Sequence, residues 1–183
     1  EYLKTIVARW GVPTSMITVI YNTHDAQFVP ETKQEARAEL ALSGTIIVSV
    51  GRLVPWKGFS ALIESFMEVR TKYPDAKLVI IGSGPEQGRL EKDIVERGLS
   101  DAVTMTGKLP PSELARYVRA ADAFVLNTAY EGFSHQIVET MALGTPVVTT
   151  DVCGNPEIIT DGKDGVLVPH SDMKKLVDAI VRV

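Results

Sequence analysis

Short runs of β-branched and aliphatic residues alternate along the chain with longer stretches in which apolar positions recur every three or four residues. The runs are TVIYN ending at Asn22, TIIVSVG ending at Gly51, KLVIIG ending at Gly82, AVTMTG ending at Gly107, DAFVLN ending at Asn127, TPVVTT ending at Thr150 and GVLVP ending at Pro169. Each has the length of a strand, and near-continuous Val and Ile suit strands covered on both faces. Between them the helical period predicts helices at roughly 31–42, 58–73, 86–98, 111–120, 133–143, 154–160 and 172–182. Alternating strands and helices imply right-handed crossovers. The expected fold class is therefore α/β, a Rossmann-like, doubly wound parallel sheet. In such sheets ligands bind outside the carboxyl ends of the strands, which confines the functional search to the residues just after each run.

With 183 residues, 45% of them hydrophobic, the chain can bury one sizeable core, so residues 1–183 are expected to form one domain. A formal net charge of −4 argues against nucleic acid or an anionic membrane surface as partner, and concentrates any cationic chemistry at a few positions. The single cysteine, Cys153, has no internal disulfide partner and no Cys/His spacing suited to zinc, which fits a reducing compartment, the cytoplasm. No apolar run reaches the roughly 18 residues of a membrane span. The sequence begins with Glu1 rather than Met, so a portion of a longer protein is expected.

The predicted strand ends carry the candidate chemistry. Gly51, Gly82, Gly84 and Gly107 punctuate them, serving either turn geometry or the close approach of a ligand to backbone. In GRLVPWKG, Arg52 and Lys57 precede a helix that begins near Phe59. Two cations beside the free N–H groups of a helix start form a site for phosphate or pyrophosphate, the alternative being two solvated loop cations. IGSGPEQG resembles a dinucleotide fingerprint, but Gly82, Gly84 and Gly88 are spaced one residue too long, and Val103 and Thr104 stand where a ribose-binding acid belongs. In YEGFSHQIVE, Glu131 and Glu139 lie eight residues apart, about 12 Å of helical rise. They are either solvated acids or two acceptors that hold hydroxyls at the two ends of a ligand whose phosphates lie between them. Ile137, Val138, Met141 and Ala142 around Glu139 favour the second reading. His135 is an acid/base candidate or a capping residue; His24 and His170 lack a partner pattern, and Cys153 lacks an activating neighbour. No D-x-D occurs, so a carboxylate-held Mg²⁺ has no evident ligands.

Together, SVGRLVPWKG, LVIIGSGPE, VTMTGKLPPSEL, ADAFVLNTAYEGFSHQIVETMALGTPVVTTDVCGNPEII and DGKDGVLVP resemble the C-terminal, donor-binding domain of family 4 glycosyltransferases, one half of a GT-B fold, over about positions 17–182. The resemblance implies a retaining glycosyltransferase without metal or other cofactor, whose partners are a nucleotide-diphosphate sugar and an N-terminal domain of the same enzyme that holds the acceptor. That domain is absent from this chain, so the chain alone is expected to be inactive, and any peripheral membrane association would pass through the absent domain. By the same resemblance Arg52, Lys57 and Glu131 are catalytic, with Arg52 and Lys57 on the pyrophosphate, Glu131 on the sugar and Glu139 on the ribose. Lys108 and Leu109 flank the nucleobase, Gly132, Phe133 and Ser134 present amides to phosphate and sugar, and Gly51 and Gly82 complete the donor site. Two departures stand out. The family's N-G-V-D reads NTHD here, from Asn22 to Asp25, and a glycine common in D-x-G-G-x-P-E is replaced by Cys153. Readings from other classes are a nucleotide-sugar-binding module without catalysis and a GT-B-like sugar-nucleotide epimerase or phosphorylase. The length of the native reading frame separates the first from a transferase.

Overall fold

The structure is a computed structural model and describes residues 1–23 and 32–183. Six of the seven apolar runs form strands: β1 (Ile46–Val50), β2 (Lys77–Ile81), β3 (Val103–Gly107), β4 (Ala123–Leu126), β5 (Val147–Thr150) and β6 (Val166–Val168). All pair in parallel, in the order β3-β2-β1-β4-β5-β6. The helices are α1 (Tyr2–Arg9), α2 (Lys33–Glu39), α3 (Phe59–Lys72), α4 (Gln87–Glu96), α5 (Pro111–Ala120), α6 (His135–Ala142) and α7 (Met173–Arg182).

The continuous apolar runs follow from burial on both faces. Every residue of β1 is buried: Ile46, Val48 and Val50 point toward α5 and α6 with Phe124, Leu126 and Ile137, while Ile47 points toward α3, α4 and α7 with Leu62, Ile63 and Phe66. Phe124 is fully enclosed, so truncation to Ala should cost about 3–5 kcal/mol. At the amino ends of the strands, α2 starts with a capping box in which Thr32 and Glu35 satisfy each other's backbone amides. Lys33 and Arg37 of α2 then reach Asp122, whose carboxylate also accepts the Ile46 N–H at 2.7 Å.

The strand order reverses between β1 and β4, because the chain winds outward from β1 through β2 to β3 and returns to the other side of β1. The loops after β1 and β4 diverge at this switch point and leave a crevice at the carboxyl edge.

Two expectations are corrected. Thr18–Asn22 is not a strand: it pairs with no other strand among the described residues, and Ile20 stands 87% exposed. Its apolar residues instead face α1 and Phe133 across a groove. The helix expected at 154–160 is one 3-10 turn, Asn155–Glu157, entered from Cys153 in a left-handed conformation that no α-helix continues. Conversely, α1 was not expected; none of its residues is fully buried. It is held by the Glu157 carboxylate, which accepts the Tyr2 N–H, and by the Tyr2 ring edge-on to Tyr130 at 6.5 Å.

Candidate functional site

After β1, Gly51 and Arg52 lead into a 3-10 turn, Pro55–Lys57, which ends at Gly58 in the left-handed region (φ 65°). A side chain at Gly58 would collide with the Asn127 carbonyl 2.0 Å away. That contact presses the β1 loop against the β4 loop. Asn127 donates its side-chain N–H to the Gly58 carbonyl at 3.3 Å, and Ala129 donates its amide to Trp56 at 2.7 Å. The consequence is that Lys57 and Glu131, 74 residues apart in sequence, form an ion pair with both side chains largely sheltered.

From the other side, Gly154 donates its N–H to the Glu131 carbonyl at 3.0 Å and packs so tightly that an added Cβ would lie 1.9 Å from the Gly132 oxygen. Leu3 of α1 covers Gly132, and the Tyr21 ring lies 5.3 Å from that of Phe133. The Glu131–Phe133 segment is thus fixed by three neighbours. Ser134 then caps α6, its hydroxyl accepting the Ile137 N–H at 3.4 Å. The amides of Gly132, Phe133, His135 and Gln136 donate to no group among the described residues. They form a run of free N–H groups at a helix start, an arrangement suited to an anion.

Two clefts adjoin at this edge. One, of about 650 Å³, is lined by Gly51, Arg52, Gly82, Ser83, Lys108 and Gln136, among others. The second, of about 460 Å³, carries Glu139 on a wall of Leu109, Leu114, Ala115, Val118 and Leu143. Leu109, Leu114 and Gln136 belong to both. Arg52 and Lys108 are exposed, and neither has an ion-pair or hydrogen-bond partner among the described residues. Glu139 accepts a hydrogen bond from the Gln136 side chain at 2.9 Å.

The structure therefore brings Arg52, Lys57, Glu131, Gly132, Phe133, Ser134, Glu139, Lys108 and Leu109 to one end of the sheet. Gly51 and Gly82 are there too, with a different emphasis from the one expected. An added Cβ at Gly82 would lie 1.9 Å from the Gly51 carbonyl, and one at Gly84 would lie 2.3 Å from the Leu53 carbonyl. These glycines let neighbouring loops interlock, and the ligand edge is a product of that packing. Among the described residues, the exposed His135 side chain has no hydrogen-bond partner, and the His170 ring is hydrogen-bonded to the Ser171 hydroxyl. His24 and Asp25 lie outside the described residues. Gln136 carried no signal in the sequence beyond its place three residues before Glu139.

Among the described residues, no group of three or more His, Cys, Asp or Glu is placed to hold a metal ion, and no helix is long and apolar enough to cross a membrane.

The family described as glycosyl transferases group 1 matches residues 31–183. A D-inositol 3-phosphate glycosyltransferase of Segniliparus rotundus is 38% identical over 147 residues, which are 77% of this chain and 33% of the relative. An Anabaena protein solved in complex with UDP-glucose has a TM-score of 0.86 at 26% identity, over 97% of this chain and 50% of its own. The C-terminal domain of a glycosyl transferase group 1 family protein from Francisella tularensis has a TM-score of 0.73 at 28% identity, over 82% of each chain. This chain thus spans about a third of the curated relative.

Proposed function

Since the chain belongs to the glycosyl transferases group 1 family, we propose that it is the C-terminal, donor-binding domain of a retaining, family 4-like enzyme that moves a sugar from a nucleotide diphosphate to an acceptor. The observation that carries the reading is the junction at the β1/β4 switch point, where Lys57 pairs with Glu131 next to a run of free amides, with Arg52 and Glu139 in the two clefts that adjoin at the same edge.

Each group has a task that its chemistry suits. Arg52, Lys57 and the free amides around Gly132, Phe133 and Ser134 meet the diphosphate, and Glu131 accepts a hydroxyl of the sugar. Glu139 accepts ribose hydroxyls, while Lys108 and Leu109 border the base. During transfer the bond between the anomeric carbon and the diphosphate oxygen breaks, and the electron pair stays on the diphosphate. Arg52 and Lys57 offset that growing charge, Lys57 from a position held by Glu131, and such electrostatic help lowers the barrier. The acceptor hydroxyl supplies the new bond to carbon and gives up its proton. Its positioning, worth about 7–11 kcal/mol of barrier, falls to an N-terminal domain, in keeping with the longer relatives. Peripheral membrane contact would also belong to that domain, with the protein in the cytoplasm.

The test is a thermal-shift panel of UDP-, GDP- and ADP-sugars. A donor present at a hundred times its dissociation constant should stabilise the fold by about 2.7 kcal/mol. For a chain of this size that raises the melting temperature by about 5–10 °C. No shift with any of the three sugars at millimolar concentration would overturn the reading.

A further inference from the structure

Gln136 is shared by both clefts and is the hydrogen-bond donor to Glu139. We propose that Gln136 is a positioning residue that fixes the plane of the Glu139 carboxylate and thereby makes the site selective for an intact ribose diol. The inference rests on the reading of Glu139 as the ribose acceptor.

Glu139 lies in the second turn of α6 and lines a cleft whose walls are mostly apolar, among them Leu109, Leu114, Val118 and Leu143, with Thr23 and Thr140 also in the lining. Rotation about the last bond of a glutamate side chain is broad, so nothing intrinsic sets the plane of the carboxylate. Of the two hydroxyl-bearing residues in the lining, Thr23 and Thr140, neither is hydrogen-bonded to this carboxylate. Among the described residues, the one hydrogen bond to this carboxylate runs from the Gln136 Nε2 to the Glu139 Oε2 at 2.9 Å. It ties one oxygen and leaves the other without a partner among the described residues. Two adjacent ribose hydroxyls need two acceptor directions in a single plane. A carboxylate held in that plane before the ligand arrives loses less freedom on binding than one that must find it. The bland alternative is an ordinary i,i+3 helix pair worth a few tenths of a kcal/mol. Against it stand the partial burial of both residues and the place of Gln136 between the cleft of Arg52 and that of Glu139.

The experiment measures a ratio. Affinities of this chain for UDP, GDP and ADP are determined by calorimetry, and the tightest ligand is compared with its 2′,3′-dideoxy counterpart. The unsubstituted protein should prefer the ribose form by at least about tenfold. Gln136→Met keeps size and helix propensity without the donor and should cut that preference about three- to tenfold, whereas Gln136→Lys keeps a donor and should retain it. Gln136→Ala replaces the Met variant if the latter fails to fold. Glu139→Ala should abolish the preference. If it does so while Gln136→Met or Gln136→Ala leaves the preference intact, the role of Gln136 is overturned alone. A protein without preference, or a Glu139→Ala variant that keeps it, overturns the ribose reading beneath. Failure of all three diphosphates to bind overturns both.

Discussion

The Lys57 ammonium and the Glu131 carboxylate are bonded to each other across the junction of the loops that follow β1 and β4. Their side chains are 17% and 19% exposed, so desolvation offsets much of the pair's attraction, while removal of one partner leaves a sheltered charge behind. By the proposed reading these two residues serve different parts of the donor. A diphosphate then has to compete with Glu131 for Lys57, and a sugar has to compete with Lys57 for Glu131. The pair holds both side chains in place while it lowers their net attraction for either half of the ligand alone.

A two-sided effect of Glu131→Gln follows. Without the carboxylate, Lys57 is released toward the diphosphate, so whichever of UDP, GDP and ADP the protein binds most tightly should bind about two- to tenfold more tightly. The additional affinity brought by the sugar should fall by about 1–3 kcal/mol, the scale of hydrogen bonds to a charged acceptor. Calorimetric titration with that nucleoside diphosphate and with its sugar conjugate checks both signs, and equal affinities before and after substitution would leave Glu131 as a structural partner of Lys57 alone.

The two cations should also differ. Arg52 is exposed and, among the described residues, has no partner to give up, whereas Lys57 must leave the Glu131 carboxylate to meet the diphosphate. Arg52→Ala should therefore weaken nucleotide-diphosphate binding more than Lys57→Ala, and the double replacement should cost about 2–4 kcal/mol. Because these side chains supply the charge, binding is expected to persist in EDTA. Identical losses from the two single replacements would contradict the competition described above.

The fold was legible wherever burial left a periodic mark. Strands such as Ile46–Val50 and Val147–Thr150 are enclosed on both faces and read as unbroken apolar runs, and the Pro111–Ala120 helix was bounded correctly from its pattern. Thr18–Asn22 misled because β-branched residues record a preference for extended backbone, while a strand also needs a neighbour to pair with. Helix α1 lacked a core-facing stripe, since its anchors are Glu157 and aromatic edges contributed by loops far along the chain. At the site, Arg52, Lys57, Glu131 and Glu139 stood out through charge at strand ends. The Lys57–Glu131 bond did not, because it depends on β1 and β4 being neighbours, a fact of topology that no local pattern carries. The glycines were visible as glycines, but whether each faces a ligand or another loop is decided by atoms distant in sequence.

Those glycines give sharply different expectations. Gly82→Ala, with φ at 141° and the Gly51 carbonyl in the way, and Gly154→Ala, against the Gly132 carbonyl, should each destabilise the protein by more than 2 kcal/mol and disturb the donor edge. Gly88→Ala meets no atom within 4 Å and lies in the first turn of α4, so it should be neutral or stabilising by up to about 1 kcal/mol. Cys153 reverses the logic, since it holds φ 54°, a left-handed conformation that favours glycine. Cys153→Gly should relieve strain and raise stability by about 0.5–1 kcal/mol after the greater freedom of glycine in the unfolded chain is subtracted. Chemical denaturation of the four variants checks the ranking.

Asp122 couples the stability of the fold to pH. Burial opposes its ionisation, but hydrogen bonds from Lys33 and the Ile46 N–H, with the charges of Lys33 and Arg37, outweigh that effect and hold its carboxyl below the usual carboxylate range. The pKa is therefore lower in the folded than in the unfolded chain, so on acidification the unfolded chain takes up the proton first. The stabilisation is complete above the unfolded value of about 3.9 and drains away as pH falls through the folded one. Since the Asp122 side chain is about a third exposed, solvent screening tempers the gain. Asp122→Asn keeps an acceptor for the buried Ile46 amide and removes the charge, so at pH 7 it should cost about 1–2 kcal/mol. As pH falls below the unfolded value and through the lowered folded one, Asp122 becomes neutral, and the variant and the unsubstituted protein should converge in stability. Urea titrations at pH 7, 5, 4 and 3 would reveal that convergence, and a constant gap between the two proteins down to pH 3 would show that the carboxylate acts through shape rather than charge.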